Sequence, residues 1–320
     1  MSTSKNNPLR IVFMGTPDFA VGSLKQLLEA NFNVVGVITA PDRPAGRGRK
    51  VQESAVKQFA VAHNLKILQP TNLKDDDFLK ELESLNANVQ VVVAFRMLPK
   101  VVWQMPEFGT FNLHASLLPQ YRGAAPINWA IINGETETGV TTFFIDEKID
   151  TGNIILQQTE KILPEDNVGT LHDRLMEIGA TLVVETCKQI EKGTITLKAQ
   201  QESSDLKAAP KIHKDTCKID WTGSLSQIQN HIRGLSPYPG AWCHMVNGDK
   251  EEQIKIFATE IEQLNHNYNV GKLVMDKKTL KVAVENGFIV LLELQLPGKR
   301  RMKVHEVLNG LNLDSEAYLR

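Results

Sequence analysis

The sequence predicts an α/β domain built on a parallel sheet, followed by a small β-barrel domain. Apolar strand-like runs alternate with amphipathic helical segments through the first half of the chain, a pattern typical of parallel sheets covered by helices. Short alternating segments separated by hairpin turns fill the last third. The length of 320 residues fits two domains, since one domain usually takes roughly 100–200 residues.

The apolar runs of the first half are spaced as the strands of one sheet. Residues 9–14, 34–38 and 89–94 are almost continuously apolar, and helical patterns cover 21–30 and 53–64 between them. Strands of this kind are buried on both faces, and ligands bind beyond their carboxyl ends. We therefore expect the functional residues to follow the strands.

The last third of the chain predicts a barrel of five short strands. An OB-fold is the best-known barrel of this size. A long helix over 170–192 ends at Gly193, and the polar stretch after it is interpreted as a linker. The predicted strands cover 241–246, 253–259, 272–275, 280–284 and 288–294. The predicted boundaries are 1–197 for the first domain, 198–212 for the linker and 213–320 for the barrel domain.

The composition predicts a soluble cytoplasmic protein. Hydrophobic residues make up 42% and charged residues 23%, which is ordinary for a globular protein. The first residues lack the apolar run of a signal peptide, and no apolar stretch approaches the roughly 20 residues that span a bilayer. The three cysteines are far apart and form no CxxC pair, so neither a disulfide framework nor a zinc site is expected. A net charge of −1 means that any nucleic-acid contact must rest on local patches.

Asn112 and His114 are the leading candidates for catalysis. They close a strand-like run two residues apart, so both side chains point to the same face. An amide can stabilise an oxyanion, and an imidazole can move a proton near neutral pH. Asp150, which opens a turn with Thr151 and Gly152, could orient or charge the imidazole. Together these three side chains suit acyl transfer, although a structural polar pair would show the same residues.

Two other readings of short motifs are excluded. An Asp-Thr-Gly turn is the signature of aspartic proteases, but those enzymes need two carboxylates and the chain has one copy. The turn at 15–17 is not GxGxxG, which disfavours a dinucleotide cofactor.

Two basic segments are candidates for contact with a phosphate backbone. Residues 41–50 hold the cations Arg43, Arg47, Arg49 and Lys50 among prolines and glycines. Such a segment is either a solvated loop or an arm that grips nucleic acid, where the number of cations governs affinity. The cluster Lys299, Arg300 and Arg301 offers the same two interpretations.

Taken together, the motifs resemble those of the methionyl-tRNA formyltransferases, within the wider 10-formyltetrahydrofolate transferase family. The resemblance covers residues 9 to 308, nearly the whole chain. The basic loop and the C-terminal barrel favour the tRNA-dependent group over relatives such as glycinamide ribonucleotide transformylase. The matching segments are MGTPDFA (14–20), PDRPAGRG (41–48), NLH (112–114), SLLP (116–119), RGAAPI (122–127), ETGVT (137–141), DTG (150–152) and IDW (219–221).

The resemblance implies a Rossmann-like formyltransferase domain joined to an OB-like tRNA-binding domain. The expected reaction moves the formyl group of 10-formyltetrahydrofolate to the amino group of methionyl-initiator tRNA, without a metal, a membrane or an evident obligate protein partner. Asn112, His114 and Asp150 become the catalytic set. The implied folate-binding residues are Ser116, Leu117, Leu118 and Pro119. The expected tRNA-binding residues are Arg43, Arg47, Arg49, Lys50, Lys211, Lys214, Lys299, Arg300 and Arg301.

Two segments depart from the family pattern. Phe95, Arg96 and Met97 stand where the family usually has Tyr-Gly and a longer apolar run, which alters one expected wall of the pocket. In the linker, residues 210–214 read PKIHK in place of the more usual EKLSK type, with Lys211 and Lys214 kept by alignment.

Three other functions stay open on the sequence alone. A formyltransferase acting on a small amine, such as an amino-sugar nucleotide, would not depend on tRNA. A folate- or RNA-binding module would not need all three candidate catalytic residues. A hydrolase releasing formate could use the same three residues with water in place of the amine.

Overall fold

The computed structural model describes residues 8–45 and 50–320. The described residues fall into two compact units. The first lies within Met1–Gly123, Gly139–Glu160 and His172–Ala208. The second lies within Ala124–Thr138, Lys161–Leu171 and Ala209–Arg320. The predicted boundaries at 197 and 213 stay a prediction.

The elements follow one another in an order that changes from mixed α/β to mainly β. The first part contains β1 (Arg10–Gly15), α1 (Asp18–Glu29), β2 (Asn33–Ile38), β3 (Arg43–Ala45), β4 (Lys50–Gln52), α2 (Ala55–Ala62), β5 (Ile67–Leu68), α3 (Asp76–Ser84), β6 (Val89–Val93), α4 (Lys100–Trp103), β7 (Thr110–His114), β8 (Arg122–Gly123), α5 (Pro126–Ile132), β9 (Glu137–Phe144), β10 (Ile154–Lys161) and α6 (Val168–Lys192). The later part contains β11 (Ala208–Ala209), α7 (Leu225–Gly234), β12 (Ala241–Asn247), β13 (Lys250–Glu262), β14 (Leu273–Met275), β15 (Leu280–Val284), β16 (Gly287–Gln295), β17 (Met302–Lys303), α8 (Val304–Leu308) and β18 (Tyr318–Leu319).

The first unit is built on a seven-stranded sheet in the order β10-β9-β7-β6-β1-β2-β5. Strands β5, β2, β1, β6 and β7 run parallel, which confirms the predicted parallel-sheet fold. Strand β9 runs antiparallel to β7, an orientation that the apolar pattern alone does not specify. The centre of the sheet is inaccessible to solvent. Phe13 is fully buried and lies in register with Val37 and Val91, which are also fully buried.

Two helices of this unit, α2 and α3, begin after a residue whose side chain caps the helix. Ser54 accepts a hydrogen bond from the backbone N–H of Lys57 at 3.0 Å, and Asp75 accepts one from Phe78 at 3.0 Å. Each satisfies an N–H group that the first turn of a helix leaves without a partner. The buried faces of α3 and α4 then pack on Val12, Met14 and Val92 of the sheet.

The second unit contains an antiparallel sheet in the order β14-β15-β16-β13-β12-β18, with β17 beside β16. The strand ends meet where the Leu319 N–H donates to the carbonyl of Gly271 at 2.8 Å. Gly271 has φ +86°, and a Cβ there would lie 2.3 Å from the Leu319 carbonyl oxygen, so glycine is required at the closure. The predicted OB-like barrel is therefore confirmed, with five main strands and two short ones added.

The barrel encloses a continuous apolar core to which α7 contributes. Ile232 of α7 is fully buried with Ile256, Val282 and Leu291 of the strands. Helix α7 begins with a reciprocal capping box, in which Ser224 and Gln227 each bond the backbone of the other.

Candidate active site

Strand β7 carries Asn112 and His114 to the carboxyl edge of the parallel sheet. Leu113 between them packs on α6, where a Cβ at Gly179 would lie only 2.7 Å from Leu113 Cδ2. Asn112 and His114 therefore point to the opposite face. Asn112 is half-buried, and its side-chain amide has no hydrogen-bond partner among the residues that the structure describes. A half-buried amide of this kind is available to a ligand.

His114 is buried, and its ring orientation is fixed by a backbone contact. Its Nε2 lies 2.8 Å from the carbonyl oxygen of Tyr121. Because a carbonyl oxygen only accepts hydrogen bonds, Nε2 must carry a proton. The other nitrogen, Nδ1, faces Asp150, with Nδ1 to Oδ2 at 3.8 Å. That distance is too long for a hydrogen bond but allows a charge interaction.

Asp150 is held in an unusual backbone conformation. Its φ of +55° lies in the left-handed region, which non-glycine residues rarely adopt. The carboxylate Oδ2 accepts a hydrogen bond of 2.9 Å from the backbone N–H of Gly123. The next two residues stabilise the turn: Thr151 donates its hydroxyl to Asp146 at 2.7 Å, and a Cβ at Gly152 would lie 1.7 Å from the Phe144 carbonyl oxygen. The Asp-Thr-Gly motif therefore has a structural reason at each position.

The turn Tyr121–Gly123 contacts both candidate catalytic groups. The carbonyl of Tyr121 orients His114, and the N–H of Gly123 holds Asp150. The segment 122–127 is among the motifs visible in the sequence, whereas Tyr121 is not. Tyr121 is buried, and its backbone contact with His114 cannot be inferred from its residue type.

The segment Ser116–Pro119 follows β7 directly and is tied to β9 and β10. The hydroxyl of Thr141 donates to the Ser116 carbonyl at 2.6 Å and accepts from the Leu118 N–H at 3.2 Å. The side chain of Gln157 donates to the Leu118 carbonyl at 2.9 Å. Ser116 and Leu118 are buried, whereas Leu117 and Pro119 are half-exposed. The peptide bond between Leu118 and Pro119 is cis.

The basic segment at 41–50 is only partly described. Arg43 is exposed at the start of β3, and its backbone pairs with Gln52 of β4. Arg47 and Arg49 lie outside the described residues, as does the side chain of Lys50.

The base of this segment is fixed by Asp42. The Lys57 ammonium and the Gln69 amide both donate to its carboxylate, the latter at 2.8 Å. These hydrogen bonds, with that from Lys57 the stronger, hold the pKa of Asp42 below its usual range.

Arg96, a departure from the family pattern, binds the backbone of the neighbouring segment at Pro70 and Thr71. Its guanidinium donates to the carbonyls of Pro70 at 2.6 Å and Thr71 at 3.1 Å. Partial burial, followed by the nearby charge of Arg43, lowers the pKa of Arg96. This arginine therefore has a local structural role that the sequence did not indicate.

The remaining predicted tRNA-binding residues lie in the second unit and differ in availability. Lys211 and Lys214 are exposed, and the Lys214 ammonium lies 5.6 Å from the centre of the Trp242 ring. Lys299 is exposed. Arg300 pairs with Glu306 at 2.6 Å, and Arg301 pairs with Glu293.

No group of three or more His, Cys, Asp or Glu side chains is arranged to hold a metal ion within 8–45 and 50–320. No helix in the same ranges is long and apolar enough to cross a bilayer.

Comparisons with known proteins match both parts of the chain. A sequence model described as formyl transferase matches residues 9–187, and one described as formyl transferase, C-terminal domain, matches 211–312. A methionyl-tRNA formyltransferase of Flavobacterium johnsoniae is 61% identical over 309 residues, covering 97% of this chain and 98% of the relative. That of Bacteroides thetaiotaomicron is 54% identical over 319 residues, covering 98% and 99%.

Solved structures share the fold at lower identity. An N-formyltransferase from Helicobacter canadensis, in complex with folinic acid and dTDP-3-aminofucose, has a TM-score of 0.66 at 23% identity and covers 92% of this chain and 100% of its own. HypX from Aquifex aeolicus, in complex with tetrahydrofolic acid, has a TM-score of 0.65 at 17% identity, covering 96% of this chain and 48% of its own.

Proposed function

Because the chain belongs to the formyl transferase family, we propose that it transfers the formyl group of 10-formyltetrahydrofolate to the α-amino group of methionyl-initiator tRNA. The product is N-formylmethionyl-tRNA, which serves translation initiation. The main support is 54–61% identity, over nearly the full length, with bacterial relatives named for this reaction. The cytoplasmic location expected from the composition belongs to the same proposal.

The observation that carries the mechanism is the pairing of a free amide with an oriented imidazole. Attack of the amine on the formyl carbon places negative charge on the formyl oxygen. The Asn112 amide, which has no hydrogen-bond partner among the described residues, and the Nδ1–H of protonated His114 are the donors that stabilise this charge. Preorganised donors of this kind usually supply the largest contribution to such a reaction.

Nε2 of His114 keeps its proton and donates a hydrogen bond to the Tyr121 carbonyl, so Nδ1 is the nitrogen that faces Asp150. The Asp150 carboxylate lies 3.8 Å from Nδ1, close enough for a charge interaction with the ring. It also serves to order a water that carries the amine proton towards the departing folate nitrogen. No covalent enzyme intermediate is required.

We assign binding of the folate to the segment Ser116–Pro119. The buried hydrogen bonds of Ser116 and Leu118 make this segment rigid. Leu117 and Pro119 are half-exposed, and therefore offer apolar contact to a pterin ring. A rigid backbone edge beside Asn112 fits a planar group that presents its formyl oxygen to that amide.

We assign binding of the tRNA phosphate backbone to the basic residues. Arg43 is exposed and serves as the contact to the acceptor end, together with Arg47, Arg49 and Lys50. In the second unit, Lys211, Lys214 and Lys299 are exposed and available to phosphate. Arg300 and Arg301 already pair with carboxylates, so their contribution to phosphate binding is expected to be smaller. Residues 1–197 carry the catalytic residues and the basic residues of 41–50, residues 213–320 form the tRNA-binding domain, and residues 198–212, which include Lys211, join the two.

One experiment tests the acceptor. Purified protein is offered 10-formyltetrahydrofolate labelled in the formyl group, together with methionyl-initiator tRNA, uncharged tRNA or no tRNA. Label incorporated only into methionyl-tRNA supports the proposal. Formate released at the same rate without tRNA would instead indicate a hydrolase.

A small-amine acceptor is the main competing outcome. The sugar N-formyltransferases share the fold but at only 23% identity, which carries no information on the acceptor. Adding an amino-sugar nucleotide as a fourth acceptor separates the two functions, because a sugar enzyme would label it in the absence of tRNA.

A further inference from the structure

Gln200 lies 50 positions after Asp150, in the stretch that the sequence marks as a linker. It contacts the backbone of the Asp150 turn, whereas Gly123 contacts the Asp150 carboxylate. Its side-chain nitrogen lies 2.9 Å from the carbonyl oxygen of Asp150 and 2.8 Å from that of Gly152. Its side-chain oxygen accepts from Arg122, whose Nε and Nη2 lie at 3.0 and 2.9 Å.

The chemistry of the partners fixes the orientation of this amide. Carbonyl oxygens only accept and a guanidinium only donates, so the nitrogen must face Asp150 and Gly152 and the oxygen must face Arg122. All the hydrogen bonds that the Gln200 side chain offers through its two N–H groups and its oxygen lone pairs are used. The charge on Arg122 polarises the amide and strengthens its donation to the two carbonyls.

The chain close to Gln200 is anchored to strand β10, which follows the Asp150 turn. Two residues earlier, Lys198 exchanges both backbone hydrogen bonds with Ile154, at 2.8 and 2.9 Å. Arg122 also pairs with Glu202 at 2.9 Å. Gln200 therefore joins two segments of the site: the turn that orients His114 and the turn that carries Asp150.

We infer that Gln200 is a positioning residue that keeps the Asp150 carboxylate facing His114. Asp150 has a left-handed backbone, φ +55°, that must be held by its surroundings. Gly123 holds its carboxylate, and Gln200 holds its carbonyl. Without the second restraint, the turn relaxes towards ordinary backbone angles and the carboxylate moves from His114 Nδ1. This inference rests on the proposed role of Asp150.

Gln200→Glu is the most informative variant, because it removes the hydrogen bonds to the carbonyls of Asp150 and Gly152 and keeps those from Arg122. The new carboxylate still accepts from Arg122 but places an oxygen against the two carbonyl oxygens, where repulsion replaces two hydrogen bonds. The matched control is Gln201→Glu, which makes the same charge change at the exposed neighbouring residue. Gln200→Met, with no polar group at all, serves if the glutamate variant does not fold.

The measurements are kcat and KM for both substrates, thermal midpoints, and a double-mutant cycle with Asp150→Asn. We expect Gln200→Glu to lower kcat at least tenfold while changing KM for the folate and for tRNA less than threefold, and Gln201→Glu to change kcat less than twofold. In the Asp150→Asn background, adding Gln200→Glu should lower kcat less than threefold, since the two act through one group.

Two outcomes overturn only the inference, and a third overturns the proposed mechanism as well. Wild-type kcat in folded Gln200→Glu contradicts it. An equal loss in the wild-type and Asp150→Asn backgrounds shows that Gln200 acts independently of Asp150, and leaves the proposed function standing. Wild-type kcat in Asp150→Asn alone removes the role of Asp150, and with it both the proposed mechanism and this inference.

Discussion

His114 donates its Nε2 proton to the carbonyl of Tyr121 at 2.8 Å, and this bond directs the opposite nitrogen towards Asp150. Seven residues separate the donor from the acceptor, so the ring is fixed by the loop that follows its own strand. The imidazole therefore has a proton fixed on Nε2 and a defined direction, both set by a backbone carbonyl.

Replacing Asn112 with Ala should lower kcat by about 10²–10³, the usual scale for the loss of one oxyanion donor. The thermal midpoint should change little, because the amide makes no hydrogen bond to the described residues that the variant would break. Steady-state kinetics with methionyl-initiator tRNA measure the effect. Asn33→Ala, at an exposed position of the same sheet, is the matched control. A loss below threefold in Asn112→Ala would contradict the assigned role.

Replacing Asp150 with Asn should lower kcat by about 10²-fold or more, the range for a residue acting in proton transfer. An asparagine oxygen still accepts from the Gly123 N–H, so the fold should persist while the charge facing His114 is lost. Kinetics and a thermal melt on the same preparation separate the two effects. A variant that unfolds at lower temperature but turns over normally would mean that Asp150 is structural.

Neutralising Arg43, Arg47, Arg49 and Lys50 together should raise KM for tRNA and flatten its dependence on salt. Transfer to a small amine acceptor should be almost unchanged, because that acceptor has no phosphate backbone. Neutralising four exposed lysines of the same unit, Lys25, Lys66, Lys74 and Lys80, provides a control of equal charge. Equal losses with both acceptors would reject the assignment of this arm to tRNA.

His231 should make the second unit less stable in mild acid. Burial lowers the pKa of His231 below its ordinary value of 6.5, and backbone hydrogen bonds with Cys217 and Lys218 and the charge of Asp220 offset this only in part. Its pKa is thus lower in the folded than in the unfolded chain, so the unfolded chain binds more protons below about pH 6.5. Stability should fall as pH drops from about 6.5, until the pH lies below the lowered pKa of the folded state.

Urea denaturation between pH 8 and pH 5, followed by the fluorescence of the tryptophans, measures this dependence. His231→Gln should have a flatter profile than the parent protein, whereas His63→Gln, at an exposed histidine of the other unit, should not. Parallel profiles for the parent protein and His231→Gln would exclude the histidine as the cause.

The fold could be predicted because its signals are local. Apolar runs and the hairpin residues of the barrel each act over a few positions, and β2 (Asn33–Ile38) begins within one residue of the predicted run 34–38. The orientation of β9 could not be predicted, because burial patterns do not record strand direction. The barrel closure between Gly271 and Leu319 joins residues 48 positions apart, so it also leaves no local pattern.

The candidate site was predicted only where side-chain chemistry is visible in the sequence. Asn112 and His114 share a face because they lie two residues apart in a strand, a spacing that is visible in the sequence. The supports of the site are different, since Tyr121 and Gly123 act through backbone atoms and Gln200 acts from a polar stretch 50 residues after Asp150. A single sequence contains no signal that distinguishes Gln200 from its neighbour Gln201.

The turn Tyr121–Gly123 also sets which substitutions the site can absorb. Its two contacts use a carbonyl and an N–H, which every residue other than proline possesses, so a change of side chain deletes neither. At Tyr121 and Gly123 the constraint falls instead on the backbone conformation, because Tyr121 has φ +59° and Gly123 has φ +126°. Sequence drift at Tyr121 is then compatible with an intact imidazole geometry wherever the new residue accepts a left-handed backbone, as asparagine or glycine does.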